Sequence, residues 1–140
     1  MGTPYKTIYE WALRKIEDPS LLQWPEEVLE NELYGWMLSA IAKFRQCKND
    51  LSDRDDELKC FNSDLLLIEQ EILGILMARE WLTPQLNSVT LSRQVYGGKD
   101  EKFYSQSAHG EFLDARDEKL KLEAQQLHRD YTYMDNDFFD

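Results

Sequence analysis

The segment from Ser63 to Leu82 constrains the fold more than any other part of the chain, because its apolar residues lie on nearly every face of a helix. Such a helix is stable only when other elements cover most of its surface. We therefore predict that it lies at the centre of the protein, capped by Asn62 or Ser63. Gly74 costs it about 1 kcal/mol relative to alanine, unless a neighbouring helix approaches closely there. The apolar residues are Leu65, Leu66, Leu67, Ile68, Ile72, Leu73, Ile75, Leu76, Met77, Trp81 and Leu82.

Two further helices are predicted before the central one. Thr3-Pro4 is typical of a helix start, and apolar residues then recur three and four positions apart through 5–16. Asp18-Pro19 ends this first helix, because the residue before a proline avoids the helical conformation. The second helix begins at Trp24-Pro25, has acidic residues in its first turn and ends near Lys48-Asn49. An acidic, polar connection over 49–64 then leads to the central helix.

The C-terminal half predicts two more helices. Thr83-Pro84 repeats the signal for a helix start, and this fourth helix runs to about Val95 before the stop at Gly97-Gly98. A polar loop follows, and the last helix spans roughly 108–130. That helix has one narrow apolar stripe on otherwise charged faces, which indicates a single packed side. The stripe consists of Leu113, Leu120, Ala124 and Leu127.

These segments predict an all-α fold: a small helical bundle with a long C-terminal helix and an extended aromatic tail. We divide it into a bundle core over 1–107, with acidic and Gly-rich loops, and a long helix plus docking tail over 108–140. A length of 140 residues is that of one ordinary domain. Strand signals are almost absent.

Charge narrows the classes of function. Twenty-seven acidic residues against sixteen basic ones give a net charge of −11. A protein that reads nucleic-acid sequence needs clustered lysine and arginine, so this composition excludes that class. It also disfavours docking on anionic membranes. No apolar run reaches the length of a membrane span, and we expect no secretory signal at the N-terminus.

The residues that could carry catalysis or bind metal do not form a recognisable site. Asp53, Asp55 and Glu57 alternate as in a calcium loop, but Leu58 stands where such a loop needs glycine. His109 and His128 have no serine or cysteine partner in a known motif. Two cysteines, thirteen positions apart, are expected to be reduced thiols. We therefore predict no catalytic residue, cofactor or metal; an enzyme using a divalent ion at Asp53 or Asp135 is the least favoured alternative.

The last ten residues are predicted to bind a partner. They show no helical period and combine four aromatic residues with one methionine and acidic residues. Aromatic side chains exposed at a chain end are available for docking, because each buries a large apolar area with few rotamers. The predicted partner-binding residues are Tyr131, Tyr133, Met134, Phe138 and Phe139.

Several segments resemble small structural proteins from tailed phages of Gram-positive hosts, in particular head–tail connector or head-completion adaptor proteins. The resemblance covers most of the chain. The segments are Trp81-Leu82-Thr83-Pro84-Gln85-Leu86-Asn87, Gln94-Val95-Tyr96-Gly97-Gly98-Lys99, Glu101-Lys102-Phe103-Tyr104-Ser105-Gln106 and Arg129-Asp130-Tyr131-Thr132-Tyr133. Lys43-Phe44-Arg45-Gln46-Cys47 and the acidic stretch from Asp50 to Asp56 are also similar.

This resemblance implies a structural virion protein in the neck of the particle, made in the bacterial host cytoplasm. Such adaptors form a ring, usually of twelve copies, beneath the portal. The expected partners are the portal protein, neighbouring copies of the chain, a downstream stopper or tail protein, and double-stranded DNA that passes without sequence-specific binding. The alternative is a small phage-encoded or cellular regulator that binds one protein through its aromatic tail.

Overall fold

The computed structural model describes residues 2–96 and 101–136, with side chains over 2–87 and 111–134. The protein is mostly helical. Its elements in chain order are β1 (Thr3–Pro4), α1 (Tyr5–Ile16), a 3-10 turn (Pro19–Gln23), α2 (Glu26–Lys43), β2 (Arg54–Asp55), β3 (Cys60–Phe61), α3 (Leu67–Tyr96) and α4 (Glu101–Asn136).

Helix α3 is central, as its apolar pattern predicts. Helices α1, α2 and α4 all pack against it, whereas α1 and α2 touch each other only slightly. Ile72, Leu73, Ile75 and Met77 are fully buried in the core. The central position of α3 follows from its wide apolar surface, which a single neighbour could not cover.

Gly74 lies where α1 crosses α3. A Cβ atom at this position would lie 2.7 Å from the Cβ of Trp11 and 3.0 Å from its carbonyl carbon. Only a glycine allows the two backbones to approach so closely. The predicted reason for a glycine inside this helix is therefore confirmed.

The predicted break at Thr83-Pro84 is wrong, because α3 continues through Pro84 to Tyr96. Proline removes one helical N–H donor, but nearby side chains bond other carbonyl groups of this turn. The Thr83 hydroxyl donates to the Arg79 carbonyl at 2.8 Å, and the Gln85 amide donates to the Trp81 carbonyl at 3.3 Å. The predicted third and fourth helices are thus one element.

A small antiparallel sheet stands where the sequence predicts a helix start and a polar connection. Strand β3 lies between β1 and β2, with Thr3 opposite Phe61 and Arg54 also opposite Phe61. Phe61 is fully buried and contacts the Tyr5 ring edge-on at 5.2 Å. The strands are two residues long, too short for an alternating pattern to reveal them.

The long C-terminal helix is longer than predicted at both ends. Helix α4 begins at Glu101 and continues to Asn136, so the first residues of the predicted extended tail are helical. The predicted stripe is packed, since Leu113, Leu120 and Ala124 are buried and Leu127 is partly buried. Residues 137–140 lie outside the described residues.

Candidate protein-binding surface

The five predicted partner-binding residues fall into three environments. Tyr131 is 1% exposed and belongs to the chain's own core, whereas Tyr133 is 68% exposed and Met134 is 38% exposed. Phe138 and Phe139 lie outside the described residues. Tyr131 therefore helps to hold the fold together in this conformation, and the exposed pair after it remains available to a partner.

A buried carboxylate holds Tyr131 in place. Glu69, in the first turn of α3, is fully buried, and its Oε2 accepts a hydrogen bond from the Tyr131 hydroxyl at 2.6 Å. The Asn49 amide donates to Oε1 at 2.7 Å, and the Cys47 thiol lies 3.4 Å from Oε2. The Tyr131 hydroxyl in turn accepts from the backbone N–H of Lys48 at 2.8 Å. One network thus joins the loop after α2, the start of α3 and the end of α4.

The ionised form of Glu69 is favoured although the side chain is buried. Burial alone would raise its pKa, but donors from Tyr131, the Leu66 N–H, Asn49 and Cys47 together hold the pKa below its usual value. The Glu69 carboxylate also changes the pKa values of two neighbouring side chains, Cys47 and Tyr131. Burial, together with this negative charge, raises the pKa of Cys47 to about 12 and raises that of Tyr131. The Cys47 thiol is therefore protonated at neutral pH and is not a nucleophile.

Aromatic contacts complete the support around Tyr131. The Phe44 ring meets the Tyr131 ring at 5.7 Å and the His128 ring at 5.4 Å, both edge-on. The Lys48 ammonium lies 5.0 Å from the centre of the Tyr131 ring. The end of α4 is consequently fixed to the body of the protein rather than projecting from it.

Four apolar side chains are exposed at this end of the α3–α4 pair. Leu66 is 44% exposed and Leu67 is 72% exposed at the start of α3. Because Glu69 bonds Tyr131, the start of α3 lies beside the end of α4, where Tyr133 and Met134 are exposed. We call Leu66, Leu67, Tyr133 and Met134 the end surface. Apolar side chains exposed at one end of a domain are available to a binding partner.

Sequence reasoning missed the role of Tyr131, although a signal was present. Leu120, Ala124, Leu127 and Tyr131 follow one another at intervals of four, three and four, which continues the buried stripe of α4 by one turn. The sequence also contained a signal for the role of Glu69 at the start of α3. It lies three residues after Leu66 and accepts the Leu66 N–H at 2.8 Å, the second half of a capping box.

Asp53, Asp55 and His128, which were weighed as metal or catalytic residues, have structural roles, whereas the side chains of His109 and Asp135 lie outside the described residues. The Asp55 carboxylate accepts the N–H groups of Glu57 and Leu58, and the Asp53 carboxylate accepts from the Asn62 amide. The Nδ1 atom of His128 lies 2.8 Å from the Ala124 carbonyl. Over 2–87 and 111–134, where side chains are described, no group of histidine, cysteine and acidic residues could hold a metal ion. Over 2–96 and 101–136, no helix is long and apolar enough to span a bilayer.

No protein-family model, curated protein or solved structure matches this chain. What the end surface binds is therefore inferred from the chain's own residues.

Proposed function

We propose that this chain is a structural virion protein: a head–tail adaptor that forms a ring beneath the portal, completes the DNA-filled head and provides the platform for tail attachment. The end surface carries this proposal, because it presents exposed apolar side chains on a well-supported helix end. The function has no chemical step, so no cofactor or metal enters it. The protein would be made in the host cytoplasm and would act in the neck of the virion.

The support beneath the end surface suits an assembly contact. Tyr133 and Met134 follow Tyr131 directly, and Tyr131 is fixed by Glu69 and by Phe44. A side chain on a fixed helix loses less conformational freedom on binding than one on a disordered tail. Apolar contacts of modest strength in each copy then add up when several copies bind one partner ring.

The charge of the chain suits a wall along which DNA slides. A net charge of −11 repels the phosphate backbone, so DNA in the channel would pass without adhering. In the proposed ring, each copy contacts the portal protein on one side and a stopper or tail protein on the other, and its neighbours within the ring.

Particle assembly tests this function with a matched pair of variants. The double variant Leu67→Ser/Tyr133→Ser removes two exposed apolar side chains from the end surface and should lower the occupancy of the chain in portal-containing particles. The control is Leu58→Ser/Leu122→Ser, which removes two side chains that are 74% and 55% exposed elsewhere. Equal occupancy of both variants would contradict the proposal, provided both unfold at the same temperature.

The second candidate is a regulator that binds one protein partner through the same end surface. A few residues carry most of the binding energy in many interfaces, so these four exposed apolar side chains would anchor a single partner. This candidate gives a different result with purified virions, since a regulator would be absent from them and would be recovered as a monomer or dimer.

A further inference from the structure

We propose that a cleft between α1 and α4 binds residues 137–140 of a second copy of this chain, so that copies join head to tail. The inference rests on the proposed function, whose ring it would close. The cleft, here called the cationic cleft, has a volume of about 290 Å³. Its lining consists of Trp11, Arg14, Lys15, Glu17, Arg116, Lys119, Leu120 and Glu123.

The cleft is built on well-held side chains. The Arg116 guanidinium donates to the carbonyl oxygen of Ile16 at the end of α1, and it also lies 5.7 Å from the centre of the Trp81 ring. Lys15 pairs with Glu123 of α4 and with Glu71 of α3, the latter at 2.8 Å. These contacts fix α1 against α4 and set the width of the cleft.

The charge of this cleft is opposite in sign to the net charge of the chain. Four basic side chains line it against two carboxylates, in a chain where acidic residues outnumber basic ones by 27 to 16. Lys15 and Arg116 already form ion pairs and hydrogen bonds within the protein. The Arg116 guanidinium also lies 3.8 Å from the Glu17 carboxylate. Arg14 and Lys119 are both exposed, and the Arg14 guanidinium lies 5.2 Å from the centre of the Trp11 ring. A ligand with carboxylates on either side of an apolar centre would match this arrangement.

Residues 137–140 of the chain have that composition. Their sequence is Asp-Phe-Phe-Asp, with two aromatic rings between two carboxylates. Asp137 and Asp140 could form charge-assisted hydrogen bonds with Arg14 and Lys119. The rings would meet the partly exposed Trp11, which supplies most of the accessible apolar surface of the cleft, because Leu120 is only 4% exposed.

The geometry requires the segment to come from another copy. Lys119 and Asn136 are seventeen residues apart along α4, which is about 25 Å at 1.5 Å per residue. Four residues span at most about 14 Å when fully extended. Residues 137–140 therefore cannot return to the cleft of their own chain. A contact between two different surfaces is heterologous, and it forms a ring when the rotation between successive copies closes.

A larger groove in the protein is a poorer match for this segment. It lies between α1 and α2, has a volume of about 470 Å³ and is lined by Tyr5, Tyr9 and Leu29 among others. Glu10, Glu26 and Glu30 also line it, and Lys59 at its edge pairs with Glu30 at 2.6 Å. Three carboxylates against two lysines, Lys6 and Lys59, leave this lining with a net negative charge, which would repel an acidic segment.

Self-association of the full chain tests the proposal. Arg14→Glu/Lys119→Glu reverses the two exposed cations of the cleft, and Phe138→Ser/Phe139→Ser alters the segment. Each variant should weaken self-association about tenfold or more in sedimentation velocity. The control Lys6→Glu/Lys121→Glu makes the same change of charge at exposed residues outside the cationic cleft and should associate like the wild type.

Mixing the two variants separates the proposal from a general effect of charge. The cleft variant retains an intact segment and the segment variant retains an intact cleft, so a mixture can form one head-to-tail contact and should give a dimer. Wild-type association of the cleft variant, or a mixture that stays monomeric, would overturn the inference. Both readouts use the purified chain alone. Failure here therefore differs from absence of the protein from virions, which would overturn the proposed function instead.

Discussion

At the scale of single residues, Glu69 is the group on which the end surface depends. It is a fully buried carboxylate that collects donors from three separate parts of the chain. A buried carboxylate is costly when it loses donors, and each donor it retains fixes the element that supplies it. The position of Tyr133 and Met134 is thus set by an acid more than sixty residues earlier in the sequence.

The hydroxyl of Tyr131 is the most direct test of this network. Tyr131→Phe removes the group that links Glu69 to the backbone N–H of Lys48, so we expect the free energy of unfolding to fall by about 1–3 kcal/mol. Urea unfolding measures this loss. Tyr133→Phe is the control, because its side chain is 68% exposed and should change stability little. An equal effect of both substitutions would contradict the assigned role of Tyr131.

The lowered pKa of Glu69 gives its contribution a defined pH range. A carboxyl group whose pKa is lowered by folding stabilises the fold above pH 4.5, which is its pKa in the unfolded chain. This stabilisation is lost as the pH falls through the pKa of the group in the folded protein. The difference in free energy of unfolding between wild type and Glu69→Gln should therefore be largest at neutral pH and shrink below pH 4.5. A difference that is constant with pH, measured by urea unfolding, would show that Glu69 does not act as a charge.

Two glycines within helices give a matched pair for the packing of α1 on α3. Gly74→Ala should destabilise the protein by about 1–3 kcal/mol, because the new Cβ would overlap Trp11. Gly35→Ala places a Cβ in α2 where nothing lies within 4 Å, and it should stabilise the protein by up to about 1 kcal/mol. Thermal unfolding of the two variants checks the opposite signs. A Gly74→Ala variant as stable as Gly35→Ala would contradict the close approach.

At the scale of elements, the continuity of α3 through Pro84 is the feature most open to test. Pro84 is exposed, so Pro84→Ala should restore a helical hydrogen bond without filling a gap and raise the free energy of unfolding by about 1–3 kcal/mol. Pro25→Ala is the control. Pro25 lies at the N-cap of α2, where even an alanine N–H would have no helical carbonyl to bond. No gain at Pro84 would favour two separate helices, with Pro84 in the first turn of the second.

Helix periodicity predicted the elements whose stability comes from burial. The wide apolar surface of 65–82 predicted the central helix, and the stripe from Leu113 to Leu127 predicted the packed side of α4. The break at Pro84 was wrong because the local proline signal carries no information about packing further along the helix. Strand β1 was missed because it pairs with β3 across more than fifty positions, as Thr3 does with Phe61. The local pair β2–β3 was missed because each strand is only two residues long.

The candidate site was only partly predictable from the sequence. Exposed Tyr133 and Met134 lie in the predicted tail, but Leu66 and Leu67 were assigned to the core and are exposed instead. The central helix does not begin until Leu67, so these two leucines lie at its start, where they are 44% and 72% exposed. That boundary is set by the Glu69 cap and the Asn49 loop, which apolar periodicity does not report.

At the scale of the whole molecule, the burial of Tyr131 decides where the chain can be truncated without removing part of the core. A chain cut after Asp130 would lose a buried core residue together with the exposed ones, so its failure to assemble would not distinguish docking from folding. A chain cut after Asn136 keeps Tyr131 and the end surface and removes only residues 137–140. We expect this shorter chain to unfold at the wild-type temperature and to self-associate more weakly, as sedimentation velocity would measure.

The central claim is that the protein is a component of the virion neck. Quantitative mass spectrometry of purified phage particles tests it most directly, because a structural ring component appears in a fixed ratio to the portal protein. We expect that ratio to be constant between preparations and unchanged by further purification. Absence of the chain from particles, or a ratio that falls with each purification step, would contradict the claim.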